Sequence, residues 1–375
     1  MMVIRQLQKQ IENYLFQKKA ILIFGPRQVG KTTLLQMIAE KSNKKCLYLN
    51  CDEPDTRKEL TDATSTRLRQ MIGQNQIVMI DEAQRVKNIG LTLKLISDQI
   101  RDVQLIATGS SAFELSNEIN EPLTGRKFEF LLLPFSIGEM IEATNSTEEK
   151  RKLDHRLVYG TYPDVTNEPG KERIILNNLV NSYLFKDLFS FKDVRKPDLL
   201  EKLLESLALQ IGSEVSVNEL SQTLQVDRMT IERYIDLLEK TYVIFRLPAL
   251  SRNLRNEIKK NKKIYFYDNG VRNAIISDFN SFNLRSDKGA LWENFLISER
   301  MKFLNYNLLF RNKYFWRTLQ QQEIDYIEEY EGSLKAYEFK LNPRKQPRLS
   351  KTFSSAYTIS SFEIISRENY LDFLT

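Results

Sequence analysis

Over residues 1–145 the chain alternates short runs of branched apolar residues with segments whose apolar positions recur every three or four residues. The runs at 20–24, 46–50, 77–80, 105–108 and 128–133 predict five strands; the segments 32–40, 91–100 and 136–143 predict helices. The strand runs are apolar throughout rather than alternating. Such strands belong to a parallel sheet covered on both faces, so this part is expected to be α/β.

The pattern changes beyond residue 150. Residues 154–209 read as helical, with apolar residues at helical spacing in 174–184 and 199–209. A short helix at 217–224, a tight turn, a second helix at 229–240 and an apolar strand at 243–247 then give the layout of a winged helix-turn-helix. The remainder returns to mixed α/β, with elements at 263–267, 291–304 and 306–311 and a hairpin turn at Glu331-Gly332. There is no internal repeat or low-complexity segment. The expected organisation is an α/β domain over 1–150, a helical linker or lid over 151–210, a winged helix over 211–262 and a small α/β domain over 263–375.

Composition narrows the chemistry. At 375 residues the chain is long enough for two or three cores. No apolar run approaches the roughly 18–20 residues that span a membrane. Residues 1–16 form an amphipathic pattern without the apolar stretch of a secretory signal, so a cytoplasmic protein with no membrane partner is expected. Cys46 and Cys51 are the only cysteines and His155 the only histidine, which excludes a Ser-His-Asp triad, a Cys–His pair and an ordinary zinc site. The net charge is +6, and residues 246–263 hold seven Lys/Arg against one Glu. That run suits a nucleic-acid backbone or, equally, a solvated loop.

One segment carries specific chemistry. Gly25-Pro26-Arg27-Gln28-Val29-Gly30-Lys31-Thr32 matches G-x-x-x-x-G-K-S/T between a predicted strand and a predicted helix, and Thr33 follows it. Glycines let the backbone turn tightly so that successive N–H groups and the helix N-terminus face phosphates. Lys31 is expected on the β- and γ-phosphates of ATP and the Thr32 hydroxyl on Mg²⁺. The run at 77–80 ends in Asp81-Glu82. Asp81 is expected to support the metal at the carboxyl edge of the sheet, and Glu82 to polarise an attacking water. Thr108, Ser110 and Ser111 end the fourth strand, and any of them can sense the γ-phosphate. Arg126, ahead of the fifth strand, can supply positive charge to the transition state within its own subunit or to a neighbour.

The loop GPRQVGKTT, the IDEAQ strand end, ATGSS, LTGR and LLPFSIGEM, in this order, resemble a group of prokaryotic AAA-type ATPases of the AAA+ superfamily. Relatives in that group join the ATPase to a C-terminal region of uncharacterised function. The resemblance is strong over residues 4–145 and weaker beyond, where Tyr159-Gly160-Thr161-Tyr162-Pro163 also fits. It implies a P-loop sheet in the order 5-1-4-3-2 and a homo-oligomer in which one subunit's Arg completes the next subunit's site. The residues themselves carry no sign of assembly.

In the last domain, a two-residue turn at Glu331-Gly332 sets Asp325 opposite Glu338, and strand alternation puts Lys340 on the face of Glu338. Glu293, on the helix expected at 291–304, can add a third carboxylate. Carboxylates of this kind hold Mg²⁺ for phosphodiester cleavage, with the lysine placing the water. Glu293, Asp325 and Glu338-x-Lys340 resemble the PD-(D/E)xK nuclease fold, although Ile324 stands where that pattern has a Pro. The resemblance implies Asp325 and Glu338 as metal ligands; the same residues also make an ordinary salt-bridge ladder. Arg228 and Arg233 on the second helix of the winged-helix segment can neutralise DNA phosphates. Two functions follow: an ATP-driven motor or switch acting on DNA, or an ATP-dependent switch that binds a protein partner and keeps an inactive nuclease fold.

Overall fold

The computed structural model describes residues 3–110, 123–185, 188, 194, 196–251, 262–318, 320–342 and 348–375. The chain divides into two compact units. One is Ile4–Leu133 with Lys240–Tyr242; the other is built from Pro134–Glu239 and Val243–Thr375.

The first unit holds a five-stranded sheet: β1 (Ala20–Phe24), β2 (Cys46–Asn50), β3 (Ile77–Asp81), β4 (Gln104–Gly109) and β5 (Lys127–Leu131). The order is β2-β3-β4-β1-β5 and every pairing is parallel. This is the expected order read from the opposite edge. β1, β3 and β4 are buried along their whole length, as their unbroken apolar runs require, while the edge strands β2 and β5 are partly exposed. Leu22, Val78, Ile80, Leu105 and Ala107 pack on Leu68, Ile72, Leu93 and Ile96 of the covering helices. The helix Lys31–Ser42 starts directly from β1 through the loop 25–30. All five strands therefore end at the same edge as that loop.

The second unit begins with short helices, then Pro197–Leu209, whose Leu200, Leu203, Leu204 and Leu207 are fully buried. Strand β6 (Glu214–Val215), the helices Val217–Thr223 and Arg228–Lys240, β7 (Ile244–Leu247) and β8 (Lys262–Phe266) follow. The three strands form an antiparallel sheet in the order β6-β8-β7. Most of the basic run, residues 252–261, lies outside the described residues.

The helix Lys288–Tyr306 precedes β9 (Asn312–Arg317), β10 (Glu323–Tyr330) and β11 (Ser333–Phe339); the helix Lys351–Ala356 then leads into β12 (Ile359–Ile365). The sheet order is β12-β11-β10-β9; β9, β10 and β11 are antiparallel, and β12 runs parallel to β11. Glu331 and Gly332 both have positive φ, 51° and 77°, as a two-residue hairpin requires. The register expected from that turn holds: Tyr326 pairs with Tyr337 and Tyr330 with Ser333.

Two expected elements differ. No strand forms at 306–311: the helix continues to Tyr306, whose ring is buried, and Leu308 at φ 53° turns the chain before β9 begins at Asn312. The helix expected over 174–184 is α-helical for Glu172–Asn178 and widens to a π-helix over Leu179–Leu184.

Candidate functional site

The loop between β1 and the helix Lys31–Ser42 has little freedom. A Cβ on Gly25 would stand 2.0 Å from the Leu132 carbonyl oxygen, so a side chain there would displace the end of β5. Gly30 sits at φ 90° immediately before the helix, a conformation that costs a glycine least. Arg5, fully inside this unit, braces both sides: its guanidinium donates to the carbonyls of Val29 and Leu133, each at 2.6 Å. Lys31 is buried, and its ammonium donates to the carbonyls of Gly25 and Pro26 at 3.0 Å each. Those bonds hold the lysine over the loop's concave side, ready to exchange backbone partners for phosphate oxygens.

Asp81, at the end of β3, accepts three hydroxyl hydrogen bonds. Thr32 Oγ1 donates at 2.6 Å, Tyr48 OH at 2.7 Å, and Thr108 Oγ1 donates to the other carboxylate oxygen. Strand order explains the set: β2 and β4 flank β3, and the helix after the loop starts beside it. The Tyr48 hydroxyl has its pKa pushed up by burial and by the neighbouring Asp81. A carboxylate and a hydroxyl 2.6 Å apart are hard oxygen donors of the kind Mg²⁺ takes, so this pair fits that ion.

Glu82 follows in a left-handed conformation, φ 52°. Its carboxylate lies 3.8 Å from the Lys31 ammonium and accepts from Gln84 Nε2 at 2.6 Å. The same Gln84 nitrogen lies 2.9 Å from Ser110 Oγ, while Gln84 Oε1 is buried with no hydrogen-bond partner among the described residues. An orphaned buried acceptor beside a carboxylate has a place for a donor such as water.

The structure therefore gathers Lys31, Thr32, Asp81, Glu82 and Thr108 at one edge of the sheet. Two expectations change. Thr108 is fully buried and spends its hydroxyl on Asp81, while also accepting from the Glu82 N–H at 3.0 Å; it fixes the carboxylate pair rather than facing a phosphate. Ser110 is the described residue of the ATGSS segment that reaches toward Glu82, through Gln84, and Ser111 lies outside the described residues. Arg126 precedes β5 and its carbonyl accepts from the Ala20 N–H, at the start of β1. This is the sheet edge opposite the loop, and the guanidinium is paired with Asp98 at 2.8 Å. It does not meet the loop of its own subunit. Sequence reasoning missed Arg5, Tyr48 and Gln84. Tyr48 could be found only once β2 was known to lie beside β3, and Gln84 only from the sharp turn at Glu82.

Residues 17–141 match the family described as an AAA domain. That match agrees with the parallel sheet in the order β2-β3-β4-β1-β5. Residues 17–141 have the fold of an AAA-type P-loop ATPase domain. Two further families, each described as a domain of unknown function, match residues 150–281 and 288–369. The whole chain is similar to an uncharacterized protein of Mycobacterium tuberculosis, 27% identical over 94% of this chain and 76% of that one. An uncharacterized protein of Haemophilus influenzae is 27% identical over 82% of this chain and 78% of its own. Among solved structures, a Walker-type ATPase of Pyrococcus abyssi shares the fold, with a TM-score of 0.51 at 15% identity, over 72% of this chain and 95% of that one. Among the described residues no helix is long and apolar enough to cross a membrane.

The second unit brings its own charged groups together. Lys263 of β8 is buried and pairs with Glu293 at 3.0 Å and Glu323 at 2.6 Å. Glu293 also accepts from Tyr265 OH at 2.5 Å. Asp325, beside a bulge in β10, accepts from the Phe339 N–H at 2.7 Å, and Lys340 lies 3.6 Å from Glu338. Burial raises the pKa of Glu293, Asp325 and Glu338, and carboxylate neighbours add to it: Asp325 acts on both glutamates and Glu323 on Asp325. Burial opposes the charge on Lys263, but Glu293 and Glu323 outweigh it and hold its pKa above the ordinary value.

Glu293, Asp325, Glu338 and Lys340 are thus neighbours. Among the described residues no three Asp, Glu, Cys or His side chains are grouped to hold a metal ion. Each carboxylate already has a partner: Glu293 has Lys263 and Tyr265, Asp325 a backbone amide and Glu338 Lys340.

Proposed function

We propose that this protein is an ATP-driven switch whose second unit engages DNA through a winged helix and a nuclease-like sheet. The observation that carries the ATP half is the Lys31–Thr32–Asp81–Glu82 constellation around one loop. Residues 25–33 would wrap the phosphates with backbone N–H groups, Lys31 would pair with the β- and γ-phosphates, and Thr32 with Asp81 would hold Mg²⁺. The bound Mg²⁺-ATP supplies a γ-phosphate whose charge the metal shares. Glu82 takes the proton of the attacking water, and the unpartnered Gln84 Oε1 accepts that water's second hydrogen.

The DNA half rests on topology. The sequence helix, β6, two helices, β7, β8, with the strands ordered β6-β8-β7, supports the reading of a winged helix. Arg228 and Arg233 lie on its second long helix; Arg228 is exposed beside Glu232, and Arg233 lies over the Tyr234 ring. A helix, three antiparallel strands, a helix and a fourth strand parallel to the third is the arrangement expected of a PD-(D/E)xK fold, with Asp325 on its second strand and Glu338 and Lys340 at the end of its third.

One observation favours a second reading in which that fold binds without cutting. Lys263 pairs with Glu293 of the candidate set as well as with Glu323, and among the described residues three carboxylates do not group for a metal. The partner is then a nucleic acid or protein held by an inactive nuclease fold. ATP hydrolysis in Mg²⁺, with and without DNA, tests both readings, with the DNA then run on a gel. DNA-stimulated turnover with cleavage lost in Glu338→Ala/Lys340→Ala supports a cutting switch. Stimulation without cleavage supports the binding form, and indifference to DNA turns the search to a protein partner.

A further inference from the structure

A cavity of about 300 Å³ in the second unit lies between the end of β7 and the start of β9, lined among others by Phe245, Arg246, Pro248, Met301, Arg311 and Lys313. Its volume is at the lower end of small-molecule sites and exceeds what a lone phosphate fills. Its cations are not all held alike. Arg246 is tied to Asp236 at 2.6 Å and to Glu239. Glu328, almost fully buried, takes Arg300 at 2.7 Å and Arg311 at 2.7 Å. Lys313 faces the same Glu328 across the β9–β10 pairing and has no ion pair or hydrogen bond of its own among the described residues. Three cations line the cavity; Arg246 and Arg311 are held in ion pairs, and Lys313 is not. Glu329 accepts from Asn312 and Tyr314, which also line the cavity, and among the described residues it makes no ion pair with Lys313.

Glu328, the carboxylate facing Lys313, is already shared by Arg300 and Arg311, so this half-buried ammonium is a destabilised charge: burial lowers its pKa, with Glu328 opposing. Such a group is relieved by an anion entering beside it. The walls decide which anion. Phe245, Pro248 and Met301 give apolar surface next to Arg246, Arg311 and Lys313, so the pocket suits an anion carrying a flat apolar body rather than a bare ion.

We propose that this cavity is a nucleotide-unit site, in which Lys313 takes the phosphate and the apolar wall takes the base. The same chemistry can come from one nucleotide of a DNA strand or from a free mononucleotide. The test uses the full chain carrying Lys31→Ala, which silences the ATPase loop, and two probes: a fluorescent single-stranded oligonucleotide and free dAMP. Lys313→Met keeps the stem and removes the charge, and Lys202→Met, on an exposed helix position, controls for net charge. Lys313→Met is expected to weaken one probe about tenfold, with the salt slope for the oligonucleotide falling by about one, while the control binds as the parent does. Its thermal midpoint is expected to stay level or rise, because an unpaired charge has gone.

Binding unchanged by Lys313→Met overturns the site, as does a parent that binds neither probe. The two proposals fail separately. DNA bound without regard to Lys313 removes this pocket and leaves the DNA switch standing; dAMP bound through Lys313 by a protein that ignores DNA does the reverse.

Discussion

The two acidic sites are made of similar residues held in opposite ways. In the ATPase domain Asp81 is surrounded by the neutral hydroxyls of Thr32, Tyr48 and Thr108, and the nearby lysine rests on backbone carbonyls. In the second unit the carboxylates gather around Lys263, which is ion-paired to both Glu293 and Glu323. Neutral donors orient a carboxylate without cancelling its charge, so it stays available to a cation. An ion pair cancels the charge, and a metal would have to displace it. The first arrangement is a site in waiting. The second is either locked or structural.

The largest effect expected is at the lysine of the loop. Lys31→Ala removes the cation that meets the phosphates, and ATP affinity measured by calorimetry should fall by at least about 100-fold. Near-normal affinity would break the comparison, since the loop would then not be the site. Glu82→Gln should leave ATP bound and slow its hydrolysis by about 10²–10⁴-fold, the usual worth of a positioned base. Gln84→Ala should slow turnover less and leave affinity unchanged. If Glu82→Gln turns over normally, the proton goes elsewhere and the paired-carboxylate reading falls.

The comparison sharpens at Lys263. Lys263→Met strands Glu293 and Glu323 in a buried setting, a loss of about 3–5 kcal/mol, and the melting transition should drop accordingly. Adding Mn²⁺ then separates the readings. Recovery of the midpoint in the variant, with no gain in the parent, would mean that the lysine occupies a place a metal can take. No recovery would mark the cluster as structural.

The difference between the sites also governs how much the sequence shows. The loop is contiguous, so Gly25 to Thr33 and Asp81-Glu82 are legible from spacing alone, and the unbroken apolar runs of β1, β3 and β4 announce a parallel sheet. The hairpin register is legible too, because a two-residue turn fixes every pair beyond it. What sequence does not show are the groups brought in by strand order. Tyr48 reaches Asp81 from a neighbouring strand, and Lys263 reaches Glu293 and Glu323 from β8. Strand order also decides whether Arg126 can serve its own subunit: its distance from that loop depends on which end of a parallel strand it precedes. The charge run at 252–261 could be read only as composition.

The smallest expected effect lies at Asp325, and its sign decides between a poised and a relaxed carboxylate. Burial pushes its pKa up, Glu323 adds to that, and the Phe339 amide with Lys340 and Lys263 offsets only part. A carboxyl group whose folded pKa is raised stabilises the fold below its unfolded pKa, and that stability is lost as pH rises through the folded value. Above its unfolded pKa, Asp325 is therefore a net burden to the fold. Asp325→Asn keeps an oxygen for the Phe339 amide and removes the charge, so it should raise the melting midpoint at pH 7.5 by about 2–4 °C, on the order of 1 kcal/mol. As pH falls through the unfolded pKa the gain should disappear. A variant that melts lower than the parent at pH 7.5 would show that Lys340 and Lys263 hold Asp325 charged at a profit in stability. That would make the second site resemble the first, with a carboxylate kept ionised for a cation.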